Sequence, residues 1–368
     1  MTSQYSPRSH GLPEPAGSVA SEPAAWSLLP VGASATGVGS LPGVDIREAT
    51  SIVFGECDVP YLPELPARGP GADLVGRTVA RLAHIDPAFS VTTTPSGWRL
   101  TDRPGRDVRR ALSWWGEDLD ALEERAAGYV GPLKVQLAGP FTVAANVELV
   151  SGEKVLRDSG ARRDIAAATA LAGAELVAEV RIRIPGAKVV VQLDEPSLAS
   201  VIAGTIKTAS GLTSYRPVEP VEAEALLSTI VAGLHNADAK VVMHACAPFH
   251  PYELWHRVAV DGISLDVTLL VESEFDSLGA CLDRGTALLL GVVPTSGTPD
   301  ADAALARVTR LQRELSFDDD AWLPNIAITP TCGLASLSPA VARATIDTVH
   351  SVSRSLRGAT NASESQER

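Results

Sequence analysis

Lys240-Val-Val-Met-His-Ala-Cys246 is an apolar, partly β-branched run that ends in an imidazole and a thiol. That composition predicts a buried strand. Side chains alternate faces along a strand, so His244 and Cys246, two apart, project to the same side. Similar apolar runs recur at 36–41, 59–65, 134–138, 188–193, 262–267, 287–293 and 325–329, the one at 59–65 interrupted by prolines. Helical patterns lie between them, clearest at 106–127, 161–183, 221–234, 300–315 and 339–355. Strands alternating with helices imply an α/β fold with a parallel sheet, and right-handed crossovers close eight such strands most simply as a (β/α)8 TIM barrel. Residues 86–100 fall outside this repeat and read as a hairpin excursion.

Length and composition agree with one such domain. The chain has 368 residues, 45% hydrophobic and 20% charged, enough for a sizeable core. Residues 1–32 and 358–368 are rich in small and polar residues and are expected to be disordered tails around a barrel at 33–357. A formal net charge of −13 argues against nucleic acid or an anionic membrane as partner. No apolar run approaches the length of a membrane span, and the N-terminus carries no basic-then-apolar signal, so a cytoplasmic location is expected. Four cysteines in so long a chain do not form a disulfide framework, which leaves thiols for metal.

Polar residues gather at the carboxyl-terminal ends of the predicted strands, the face of a barrel that carries active sites. They are Ser40, Glu64, Asp194, Glu195, His244, Cys246, Asp266 and Cys332. His244, Cys246 and Cys332 supply an imidazole and two thiols, a zinc-type donor set with a position left open. Asp266 is either a further ligand or the group that holds His244 by its other ring nitrogen. Asp194 is read as an anchor for a substrate ammonium, against the alternative that Asp194-Glu195-Pro196 caps a helix. Glu64 is a second acidic candidate, and Gly39 and Ser40 offer backbone N–H groups to a carboxylate. Cys57 and Cys281 read as ordinary buried thiols, Trp114 and Trp115 as packing, and His250 as loop. A thiolate-rich zinc activates water poorly but suits a substrate thiol, whose pKa it lowers.

Gly-Ser-Leu-Pro at 39–42, Leu-Ala-Gly-Pro at 137–140, Gln-Leu-Asp-Glu-Pro at 192–196, His-Ala-Cys at 244–246 and Pro-Thr-Cys-Gly-Leu at 330–334 occur in that order. This set resembles the C-terminal catalytic barrel of cobalamin-independent methionine synthase, in a short, single-domain form. The resemblance implies a methyltransferase that forms methionine from L-homocysteine. It implies zinc held by His244, Cys246, Cys332 and Asp266, and the amino acid held by Gly39, Ser40 and Asp194. The chain departs from that family's pattern. Asp266 stands where a Glu is usual, 291–296 lacks a His that serves as an acid, and 141–146 lacks a Trp near the folate. The resemblance to short single-barrel relatives implies a methyl-corrinoid donor, methylcobalamin or a corrinoid carrier protein, in place of methyltetrahydrofolate. Two alternatives remain open. One is another zinc-dependent alkyl transfer to a thiol, such as epoxyalkane to coenzyme M, with Arg68 and Arg216 as candidate sulfonate anchors. The other is a zinc- or thiol-binding barrel without turnover.

Overall fold

The strands are β1 (Ser34–Ala35), β2 (Val91–Thr94), β3 (Gly97–Leu100), β4 (Gly131–Ala138), β5 (Val147–Glu148), β6 (Ala187–Asp194), β7 (Lys240–Ala245), β8 (Gly262–Asp266), β9 (Ala287–Val293) and β10 (Ile326–Pro330). They come from a computed structural model that describes residues 26–103 and 105–366. Seven form one parallel sheet in the order β1-β10-β9-β8-β7-β6-β4.

The predicted strand at 59–65 does not form as a regular strand, yet its residues close the barrel. On one side Val59 N donates to Ala35 O (3.2 Å), Leu41 N to Glu64 O (2.9 Å) and Glu64 N to Gly39 O (3.1 Å). On the other, Leu62 N donates to Lys134 O and Lys134 N to Pro60 O, both at 2.9 Å. Pro60 and Pro63 have no N–H to give, so the ladder survives only as the bridges Ser40–Glu64 and Tyr61–Lys134. The chain is a TIM-barrel-like α/β fold with this segment in the eighth position.

The barrel interior is layered. Val190, Val242, Leu289 and Ala327 form a floor with Val59, Leu28 and Leu29. Period-two alternation then carries Gln192 and Asp194 of β6, and His244 of β7, up the same inner face toward the mouth. Leu28 and Leu29, placed in a tail by composition, are each 6% exposed, so the packed chain begins earlier than residue 33. The final helix, Pro339–Gln366, likewise runs past the boundary drawn at 358. Residues 1–25 and 367–368 of the expected tails lie outside the described residues.

The helices expected from periodicity form at Arg106–Arg125, Ser159–Arg183, Pro220–Asn236, Ala301–Leu315 and Pro339–Gln366. Further helices form among the described residues, the two longest at Ile46–Glu56 and Leu74–Ile85. In the second, Val75, Val79 and Leu82 recur at helical spacing, and Arg77 and Arg81, buried at 2% and 8% exposure, lie off that stripe. Its start is marked by Asp73, whose carboxylate accepts Gly76 N (2.9 Å). The expected hairpin is β2 paired antiparallel with β3, and β5 adds to β3 in parallel. Trp115 is packing, as expected: it is buried and donates to Arg77 O (3.0 Å).

Candidate active site

His244 is the penultimate residue of β7, Cys246 follows the strand, and Cys332 lies two residues beyond β10 across the mouth. Their ligand atoms all lie within 4.8 Å of one another. His244 Nδ1 meets Ser264 Oγ at 2.9 Å, and Ser264 stands opposite His244 in the β7–β8 register. That contact orients the ring and leaves Nε2 for a metal. The two sulfurs are 2.7 Å apart, within hydrogen-bonding distance. Cys332 is held well below the usual thiol range, first by its hydrogen bond with Cys246 and then, against the cost of burial, by the His244 ring. Cys246 is pushed up, first by that hydrogen bond and then by burial. Binding a divalent metal would therefore displace one thiol proton and keep both sulfurs as ligands. The loop of Cys332 is tied to the first strand region, because Leu334 N donates to Ser40 O (2.8 Å). A Cβ at Gly333 would lie 2.2 Å from Ser40 Oγ, so the Ser40 hydroxyl would have to turn away.

Asp266 does not join this cluster. Its Oδ1 accepts Thr268 N (2.8 Å) and Thr268 Oγ1 (2.6 Å), so it caps the turn that follows β8. The one-methylene-shorter carboxylate folds back on its own chain, and the hydroxyl of Ser264 takes the role of holding the imidazole. In this structure Asp266 is not among the gathered ligand atoms, and Ser264 rather than Asp266 meets His244 Nδ1.

The acidic candidates separate by role. Asp194 sits opposite His244 in the β6–β7 register, and Gln192 Nε2 donates to its Oδ1 at 2.8 Å. Burial pushes it up to about 6, against the pull of His244 and Lys134. Glu64, bridged to Ser40, is pushed up to about 8 by burial despite the nearby Arg77. Glu195 is a helix cap: its carboxylate accepts Phe141 N and Thr142 N (both 2.9 Å) and Thr142 Oγ1 (2.8 Å) at the start of helix Pro140–Asn146. Gly39 packs on Gln136, whose Nε2 would lie 2.8 Å from a Cβ there. His250 lies outside the metal cluster, stacked on Trp255 at 5.1 Å between ring centres. Cys57 and Cys281 also stand apart from it, and burial pushes them up to about 12 and about 11.

Residues not recognised from the sequence complete the interior. Lys134, 1% exposed, donates to Val38 O (2.7 Å) and Gln192 Oε1 (2.6 Å). Burial lowers it to about 8, against the pull of Asp194, Cys57 and Glu64. The available signal was a lysine inside an apolar strand, which an unpaired charge could not occupy.

The raised carboxyls carry a pH signature. Glu64 and Glu195 are shifted from an ordinary value of 4.5 to about 8 and about 7. The folded chain therefore binds these protons more tightly than the unfolded chain. Their contribution is complete below the ordinary value and is lost as pH rises through the folded ones. The urea midpoint of the metal-free protein should fall between about pH 5 and about pH 8, and Glu64→Gln should flatten that slope. A midpoint that rises over this window would contradict the assignment.

A barrel whose mouth gathers one imidazole and two thiols is a barrel with a donor set that could hold a divalent metal and suits sulfur chemistry. Comparison with known proteins takes this further. Residues 130–355 match the catalytic domain of the cobalamin-independent synthases, and the chain belongs to that family. It is a methyltransferase of the methionine synthase type. Among solved structures it shares its fold with a B12-independent methionine synthase from Shewanella sp. W3-18-1 in complex with selenomethionine. The two are 12% identical, with a TM-score of 0.57 over 90% of this chain and 99% of that one. A GH5_18 protein from Streptomyces cattleya in complex with GlcNAc is 13% identical, with a TM-score of 0.45 over 89% of this chain and 81% of that one. No curated protein matches. The expected methyl-corrinoid donor and corrinoid carrier protein find no support in a family that is cobalamin-independent. Among the described residues, no helix is long and apolar enough to cross a membrane.

Proposed function

We propose that this chain methylates the thiol of L-homocysteine, giving methionine, at a zinc ion held by His244, Cys246 and Cys332. The observation that carries this reading is the convergence of three soft or borderline ligand atoms within 4.8 Å at a barrel mouth. The donor set fits zinc: one ring nitrogen is left free by the Ser264 contact, and one of the two thiols is already acidified. When bound, zinc would lower the pKa of the substrate thiol so that it reacts as thiolate. Asp194 receives the substrate ammonium, Glu64 adds a second acidic group beside it, and Gly39 and Ser40 line the carboxylate side. With the amino acid so held, its sulfur forms a bond to the methyl carbon while the carbon–donor bond breaks, its electron pair leaving with the donor.

The coenzyme M alternative needs a cation for the sulfonate. Arg68 is instead committed to Asp118 at 2.8 Å, and Arg216 is exposed. Two buried carboxyls, Asp194 and Glu64, face the site where a sulfonate would have to lie.

The test is methionine formation by zinc-loaded protein from homocysteine, with methyltetrahydrofolate and methylcobalamin compared as donors. Methionine from either supports the thiol reading, and the active donor decides the other half of the reaction. No methionine from either, together with no binding of homocysteine, would reject it.

A further inference from the structure

We propose that Lys134 and Gln192 are positioning residues for the amino-acid end of the substrate. They fix one oxygen of Asp194 and the carbonyl of Val38, and so hold both sides of the subsite. This rests on the reading of Asp194 as the ammonium anchor given above.

Lys134 stands on β4 opposite Val190, in the aliphatic floor of the barrel. Its Nζ points upward, donating to Val38 O (2.7 Å) and Gln192 Oε1 (2.6 Å). An ammonium has three donors and no lone pair, so the amide atom it meets must be the oxygen. That settles the orientation of the Gln192 amide. Its Nε2 is then directed to Val38 O (2.9 Å) and Asp194 Oδ1 (2.8 Å). Turning the amide over would set N–H groups against the ammonium and an oxygen against the carboxylate, two repulsive contacts at once. Among the described residues no second hydrogen bond to the Asp194 carboxylate is made, so its other oxygen is available to the substrate.

The same two side chains share Val38 O, directly before Gly39 and Ser40. One buried lysine thus fixes the backbone that would face the substrate carboxylate and the carboxylate that would face its ammonium. A packing role does not account for it, because an aliphatic residue would fill the floor without burying a charge.

The experiment is calorimetric binding to zinc-loaded wild type, Lys134→Met and Gln192→Glu, with homocysteine and with 1-propanethiol, which has neither amino nor carboxyl group. Lys134→Met keeps the side-chain length and removes the ammonium. Gln192→Glu can still accept from Lys134 but cannot donate to Asp194. Homocysteine should weaken by about tenfold to a hundredfold in both variants, the size of a charge-assisted contact, while propanethiol changes less than about threefold. Parallel loss of both ligands would show general damage to the site and overturn the proposal, as would unchanged homocysteine affinity. A wild type that does not prefer homocysteine over propanethiol would instead overturn the reading of Asp194, and the positioning role with it.

Discussion

Cys332→Ser protein is expected to fold and to lose its zinc. A serine hydroxyl does not ionise near neutral pH and cannot replace a thiolate ligand. The imidazole and Cys246 that remain are one donor short of the three a catalytic zinc needs. Removing a mere hydrogen-bond partner of a zinc ligand costs about 10–100-fold in affinity, so loss of the ligand itself should exceed that. Zinc content by mass spectrometry should drop from one equivalent to near none, with unchanged far-ultraviolet circular dichroism and methyl transfer below detection. Asp266→Ala is the matched control. Its carboxylate bonds Thr268 N and Oγ1, so that variant should keep its zinc. Full zinc occupancy in the Cys332 variant would remove the metal centre described here. Loss in the Asp266 variant would restore Asp266 as a ligand.

The second large effect concerns stability. Asp118 is 0% exposed and lies between two guanidinium groups, bonding Arg68 at 2.8 Å and Arg77 closely on its other oxygen. Arg77 also stacks over Trp115, its guanidinium 4.0 Å from the ring centre, and its Nε is 3.9 Å from Glu64. Asp118→Ala leaves two buried cations without their counter-charge, a change that costs about 3–5 kcal/mol. Urea denaturation should show a loss of that size, and Glu64 should lose the alignment that Arg77 gives it. A loss under about 1 kcal/mol would mean that water or other groups take over the role of the carboxylate.

The sequence carried the barrel because six of its strands are largely buried apolar runs of ordinary strand length, separated by helices, whereas the run read at 36–41 contributes only the two-residue strand Ser34–Ala35 just before it. It carried His244, Cys246 and Cys332 because polar groups at the ends of such runs have little structural reason to be there. The segment at 59–65 reads only weakly as a strand. Its prolines remove the donors that define one, although its remaining N–H and C=O groups still close the barrel. Ser264 escaped notice because a serine within a strand carries no chemical signature until its neighbour in the next strand is known, and register is a long-range property. Asp266 was placed by analogy of position. The competing interaction, a local turn with Thr268 two residues on, is one that short acidic side chains favour and longer ones do not. The burial of the arginines of helix Leu74–Ile85 is hidden for a related reason. Their partner Asp118 lies on another helix, and sequence alone does not reveal that the charges neutralise one another.

The floor has a consequence for how the protein is made. Trp26, Leu28 and Leu29 leave the ribosome before every strand they pack beneath, and Ala327, one of their seats, comes among the last. Lys188 and Lys240, whose ammonium groups lie 5.9 Å and 5.4 Å from the Trp26 ring centre, are synthesised in between. The nascent chain must therefore carry an unseated aromatic and aliphatic segment through most of translation. It can be laid down only when β10 completes the circle, which makes sealing the underside a late, long-range event in folding.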